Sequence, residues 1–313
     1  MESKKKQRND THFAEWKFFL MMMVAVIVWA FAFPFIKIGL SELSFINLTI
    51  MRFFIVCCVF LLILFFQKKR FSKLLKKDVI PIFLLGFFGI MVYHLGLNYG
   101  EQFISPGAAS LIIATIPIQI LILAIIFLKE KISFFKILGI VIALIGVLII
   151  SIWGKKDASL EIGYIYGAIA VLIAALMGAI YTIYAKKLLD RYTGLSLTVY
   201  SILLGSIALI PLINNSFFVE VSKMSINGWF AILFLGIFST VIGYVIWNVA
   251  LKMKNASDIS IYLYAIPVLS TIFSYFIFKD DITLIFIIGG ILVIFGLIVV
   301  NNNKGKKINK KID

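Results

Sequence analysis

GFFGIMVYHLGLNYGEQFISPGAAS (residues 86–110) and GIFSTVIGYVIWNVALKMKNASDIS (residues 236–260) align as two copies of one segment. An offset of 150 residues pairs Gly86 with Gly236, Phe88 with Phe238, Asn98 with Asn248 and Ser110 with Ser260. Without a gap it goes on to pair Ile116-Pro117 with Ile266-Pro267, Lys129-Glu130 with Lys279-Asp280, Gly139 with Gly289 and Gly146 with Gly296. About a dozen identities fall over roughly 65 positions. A bias toward Ile and Leu matches a few residues by chance; it does not bring the glycines, prolines and asparagine into register together. The chain is an internal duplication, so its fold follows from the content of one copy.

That content is lipid-soluble. The 313 residues are 62% hydrophobic, with a mean hydropathy of +1.07, well above the 45–50% apolar content of soluble domains. A bilayer-spanning helix needs about 20 apolar residues. The chain supplies ten such runs, at 17–38, 44–66, 79–100, 105–128, 132–152, 162–185, 195–213, 227–250, 257–278 and 282–300. Five spans per copy is an odd number, so the second copy enters the membrane from the opposite side. The expected fold is an all-α integral membrane protein: ten transmembrane helices in two inverted five-helix repeats. The expected divisions are an N-terminal tail (1–15), a first repeat (16–152), a second, inverted repeat (153–301) and a basic tail (302–313).

The net charge of +15 is placed asymmetrically. With a cytoplasmic N-terminus, about 24 of the 30 Lys and Arg residues face inside, 67–78 (QKKRFSKLLKKD) and the KGKKINKK tail among them. This is the positive-inside signal. It orients the chain and touches anionic lipid, and it calls for no nucleic acid. Both termini are expected in the cytoplasm; the Ile-, Lys- and Asn-rich composition fits a prokaryote with AT-rich DNA, and the expected location is its plasma membrane. The adjacent Cys57 and Cys58 have neither staple nor metal-site spacing.

Inverted repeats place a substrate site near the midplane between the copies, and the polar residues inside the spans are its candidates. His94, Asn98 and Glu101 share one face of the third span; Gly86, Gly89, Gly96 and Gly100 form another, suited to close packing on a neighbour. In the eighth span Tyr244 and Asn248 repeat the layout, and inversion assigns the two sets to opposite ends of one cavity. His94, with an unperturbed pKa near 6.5, is the candidate for proton coupling. Glu101 reads as a solvated charge at the outer interface, and Lys37 as a snorkelling one. Arg52 lies inside the second span, a functional-site candidate by default. Its expected partner is Glu42, Glu101 or a substrate carboxylate, which the guanidinium fork holds through two hydrogen bonds. Thr115 and Gln119 share a face of the fourth span. Pro117 and its twin Pro267 free backbone carbonyls in mid-membrane and are candidate structural hinges. Trp29 joins the set as cavity wall. Glu130 reads as a helix-dipole partner at the start of its own following helix.

Three stretches carry a family resemblance: VWAFAFPFIKIGL (28–40), SPGAASLIIATIPIQILILAIIFLKEKISFFKILGIVIALIGVLII (105–150) and its echo AIPVLSTIFSYFIFKDDITLIFIIGGILVIFGLIVV (265–300). The chain resembles EamA-type members of the drug/metabolite transporter superfamily. The resemblance implies efflux of metabolites or amino acids, and a central cavity lined chiefly by helices 1, 3, 4, 6, 8 and 9. It departs from symmetry at Trp29, whose equivalent 149 residues on is Gly178.

No nucleotide-binding loop, haem motif, paired metal-binding His or nucleophile elbow is present in the sequence; no cofactor and no enzyme activity is expected. The expectation is a secondary-active exporter of a small-molecule substrate, with protons as a possible coupling ion. A passive facilitator and a sugar or sugar-phosphate transporter are the alternatives. A membrane-embedded transferase would rest on Lys279-Asp280-Asp281 alone. Substrate identity and oligomeric state are not readable.

Overall fold

The computed structural model describes residues 2–153 and 162–278 and parts of 284–299. Among the described residues eight helices are long and apolar enough to cross a membrane: α1 (Glu15–Leu40), α2 (Phe45–Phe66), α3 (Lys76–Glu101), α4 (Pro106–Leu128), α6 (Ile165–Leu188), α7 (Gly194–Leu212), α8 (Ile226–Met253) and α9 (Ala256–Ile277). Between α4 and α6 runs a further apolar helix, α5 (Phe134–Trp153). The helix containing α1 extends back to Glu2. The expected tenth span falls largely outside the described residues, as do the tail 302–313 and the Lys279-Asp280-Asp281 turn.

Helices are the form in which an apolar run satisfies its own backbone in lipid, and short polar residues mark where they begin. Side chains of Ser44, Ser105, Thr193 and Ser225 accept from backbone N–H groups in the first turns of α2, α4, α7 and α8, each relieving an orphan donor.

Hydrogen bonds repeat across the two copies as the residues do. Asn98 Nδ2 donates to Thr49 Oγ1 at 2.9 Å, and its equivalent Asn248 Nδ2 donates to Thr198 Oγ1 at 2.9 Å. Thr49 and Thr198 each return their hydroxyl to the carbonyl four residues back. Lys37 Nζ donates to Glu101 O at 3.1 Å, and Lys186 Nζ to the equivalent Leu251 O at 2.6 Å. Lys37 therefore does not snorkel; each lysine closes the C-terminal carbonyls of a neighbouring helix, where a cation also meets the negative end of the dipole.

The glycine stripe of α3 is its packing face. A Cβ on Gly96 would stand 3.0 Å from Ala170 O and one on Gly100 2.7 Å from Gly167 O, both on α6. Gly86 meets Ser201 and Gly205 of α7, backbone against backbone. Close approach of this kind holds helices together in lipid, where apolar burial adds no drive.

Polar contacts at the bundle ends join the copies. Asp78 takes the Arg191 guanidinium on both oxygens, at 2.7 and 3.0 Å, and accepts from Tyr192 at 3.0 Å. A double-mutant cycle of Asp78→Asn with Arg191→Gln, read by thermal melting in detergent, is expected to give a coupling of about 1 kcal/mol, limited by the exposure of Arg191. Glu42, one expected partner of Arg52, instead accepts from Ser225 N at 2.7 Å, at the start of α8. Glu130 accepts from Ala256 N at 2.9 Å and from the Ser257 hydroxyl. It thus serves a helix N-terminus, but that of α9 in the other copy rather than α5. Beside it Lys136 pairs with Asp258 at 2.7 Å.

Candidate functional site

α3 and α8 each pass through a π-helical stretch at matching places, Phe87–Val92 and Phe234–Ile242. Such turns break the regular i→i−4 ladder and re-aim groups at functional sites. Thr240 Oγ1 turns back five residues to Leu235 O, at 2.8 Å. Ser239 O receives the indole Nε1 of Trp29 at 2.9 Å, with Gly243 directly beneath the ring. α4 and α9 are interrupted in register as well. The helical segment that starts α4 ends at Ile113 and a new one starts at Ile116, just before Pro117. In α9 a 3₁₀ stretch, Ile261–Tyr264, precedes the segment that carries Pro267.

Between these breaks lies a cavity of about 80 Å³, several times the space one water needs. Its walls come from α1, α3, α4, α6, α8 and α9, the helices the resemblance implies, with Arg52 added from α2. Four of the eight expected substrate contacts line it: Trp29, Arg52, His94 and Tyr244. Trp29 stands 5.5 Å from the Trp247 ring and 6.1 Å from that of Tyr244. Tyr93, Tyr181 and Thr182 complete the aromatic and polar wall.

The other four do not line it. Asn98 bonds Thr49, and Asn248 bonds Thr198 and Tyr181, so both tie helices together. Gln119 donates to Thr115 one turn back, at 3.1 Å.

Arg52 is 1% exposed and spends one donor from each nitrogen: Nε to Thr240 Oγ1 at 2.8 Å, Nη2 to Ser239 Oγ at 3.2 Å, Nη1 to His94 Nδ1 at 3.3 Å. The guanidinium has no acceptor, so Nδ1 must accept and the His94 proton sits on Nε2. There it faces Tyr244 Oη at 3.1 Å, which leaves the phenol's own hydrogen for another acceptor. His94 and Tyr244 therefore meet at one place instead of furnishing opposite ends. One N–H remains on each Nη of Arg52 without a partner among the described residues, two donors of the kind that take a carboxylate. Nor does Arg52 make an ion pair among the described residues; neither Glu42 nor Glu101 reaches it.

Reasoning from the sequence took Ser239 only as one of the small residues, with Gly236 and Gly243, on a face of the eighth span, and missed Thr240. Their signal was a polar pair in mid-span, standing where the first copy has Gly89-Ile90.

The EamA-like transporter family matches the chain twice, over residues 16–152 and 165–302. An uncharacterized transporter of Archaeoglobus fulgidus is 37% identical over 91% of this chain and 98% of its own. A probable terminal-alkyne amino-acid exporter of Streptantibioticus cattleyicolor is 27% identical over 90% of this chain and 92% of its own. A solved crystal structure shares the fold at a TM-score of 0.69, with 18% identity over 90% of this chain and 94% of that one. Two copies of one multi-pass helical unit meet around a cavity, and the matching family covers both copies: the chain belongs to the EamA-like transporter family.

Proposed function

We propose that the protein is a secondary-active exporter of small metabolites that carry a carboxylate and an apolar or aromatic side group, amino acids or their relatives. The observation that carries this reading is Arg52: a buried cation without a counter-anion, at the wall of an aromatic cavity between the two copies. A buried charge left without its partner is strongly destabilising, and a substrate carboxylate supplies the partner. Trp29, Trp247 and Tyr244 offer flat apolar surface to the rest of the molecule. His94 holds the Arg52 fork and the Tyr244 hydroxyl in place. The amino-acid class is also what the Streptantibioticus relative's name states for that protein.

In this reading ten helices form two inverted five-helix repeats, 16–152 and 153–301, between cytoplasmic tails 1–15 and 302–313 in a prokaryotic plasma membrane. Rocking of one repeat against the other exposes the cavity to each side in turn. Pro117 and Pro267 act as hinges, each next to a helix break. Asn98, Asn248, Thr115 and Gln119 act at one remove, by holding the helices that carry the wall.

The test is counterflow in proteoliposomes loaded in turn with apolar and aromatic amino acids, polyamines and sugar phosphates. Saturable exchange of the amino acids, with none of the polyamines, is expected. Exchange of sugar phosphates instead would move the protein to the sugar-phosphate class. Exchange that an imposed pH or sodium gradient leaves unchanged would mark a facilitator, and silence across the panel would sink the carrier reading.

A further inference from the structure

Three side chains deep in the first copy that are charged or titrate below pH 7 face residues in the second that are neutral at that pH: Arg52 against Ser201, His94 against Tyr244, and Glu101 against Leu251. Arg52 and His94 hold one another and belong to the cavity. Glu101 has no such employment. It is 0% exposed, and neither carboxylate oxygen has a hydrogen-bond partner among the described residues.

The structural task at this position needs no carboxyl group. The backbone oxygen of Glu101 receives Lys37, and Leu251 gives its own backbone oxygen to Lys186 in the same way with a plain apolar side chain. Where two copies of one packing unit differ by a buried acid, the acid serves something other than packing. Intramembrane carboxyl groups of this kind mark proton relays.

The surroundings select a proton over a metal cation. An ionised carboxylate buried without donors costs far more than the neutral acid, and the group neutralises instead. The charged groups facing it are Lys37 of α1 and Arg52 of α2, both cations, with Tyr93 on its own helix; α4 and α6 present none to it among the described residues. Two nearby cations oppose a metal ion, which also needs a shell of oxygen ligands that one carboxyl does not supply; a proton removes the buried charge with no further ligand. One turn back, Asn98 Oδ1 is likewise a buried acceptor without a donor among the described residues. A carboxylic O–H on Glu101 adds a donor to a stretch of α3 where these buried oxygens have none. His94 is poorly placed for the same duty: one ring nitrogen accepts from Arg52 and the other faces Tyr244, so a second proton breaks the bond to Arg52.

We propose that Glu101 holds an exchangeable proton inside the membrane and is the point at which protons enter the transport cycle. The inference rests on the carrier reading above and names its coupling ion. In the conformation described, Glu101 is the neutral acid. When the end of the bundle where α1 and α3 finish opens to water, the proton passes to water and leaves a carboxylate that water solvates, in the field of Lys37 and Arg52 but paired with neither. Closing that end again requires a proton back.

Infrared spectroscopy of the full chain in lipid nanodiscs tests this without any substrate. At neutral pH the wild type is expected to show the C=O stretch of a protonated carboxylic acid, shifted in heavy water. Glu101→Gln is expected to lack the band and Glu101→Asp to move it. Should Glu101→Gln fail to fold, Glu101→Leu, which copies Leu251, takes its place. A wild type without the band, a band that heavy water leaves unshifted, or one that persists in the variant overturns the proposal. A band that behaves as expected in a protein that exchanges nothing in counterflow would keep the proton site and remove the carrier reading; the reverse pattern removes Glu101 alone.

Discussion

Arg52→Lys is expected to lower amino-acid counterflow between about 10- and 100-fold while the protein still folds. Lysine keeps the charge but replaces a planar fork with a point charge on a flexible stem. It cannot hold Thr240, Ser239 and His94 at once and still offer two parallel N–H groups. A hydrogen bond to a charged group is worth about 1.5–3 kcal/mol, and each 1.4 kcal/mol is a factor of about ten, so losing one substrate bond already reaches the lower bound. Rates are to be normalised to folded protein by size-exclusion fluorescence, because the three partners also lose a donor and the melting temperature should drop. The transport loss must exceed what the folded fraction explains. Counterflow that survives at more than half the wild-type rate would take the carboxylate away from Arg52.

The second large effect belongs to Gly86. A methyl there overlaps the carbonyl oxygen of Ser201 and stands 2.9 Å from Cα of Gly205, while one on Gly205 stands 2.7 Å from Cα of Gly86. Neither neighbour is a side chain that can rotate away, so α3 and α7 must separate. Overpacking costs about 1–3 kcal/mol where side chains can adjust, and this contact lies at or above the top of that range. Gly86→Ala is expected to lower the melting temperature in detergent by several degrees and to reduce the yield of folded protein. Gly107→Ala is the control, because its nearest atoms are Thr271 Oγ1 at 3.6 Å and Ser105 Oγ at 3.9 Å; it should melt like the wild type. If the two variants melt together, the backbone contact is not what joins these helices.

The repeat register predicted more of the interior than periodicity did. The 150-residue offset sets Asn98 against Asn248, and the glycine face of α3 is legible from residue size alone; the partners Thr49 and Thr198 stand 149 residues apart and came from the structure. The partners of Arg52 were not legible. Ser239 and Thr240 lie 187 and 188 residues away and are presented by a π-helical stretch, a departure from 3.6 residues per turn that no apolar pattern encodes. Lys37 was misread for a similar reason: its acceptor is a backbone carbonyl, which every residue carries and no letter distinguishes. Glu101 was misread because a carboxyl at the end of an apolar run looks the same whether water or α1 and α2 cover it.

Trp29 reaches from α1 to Ser239 O of α8 and lies on Gly243; at the equivalent place in the other copy Gly178 faces the ring of Tyr93. In the proposed cycle the two copies trade conformations, and perfect copies would do so at equal free energy, resting half on each side. An indole latched to a carbonyl on one side and a glycine under a tyrosine on the other cannot be degenerate. One net hydrogen bond of about 1 kcal/mol already tilts an empty carrier several-fold toward one orientation. In that cycle the empty protein waits mostly with one mouth open, and its return without cargo starts from the side the indole favours.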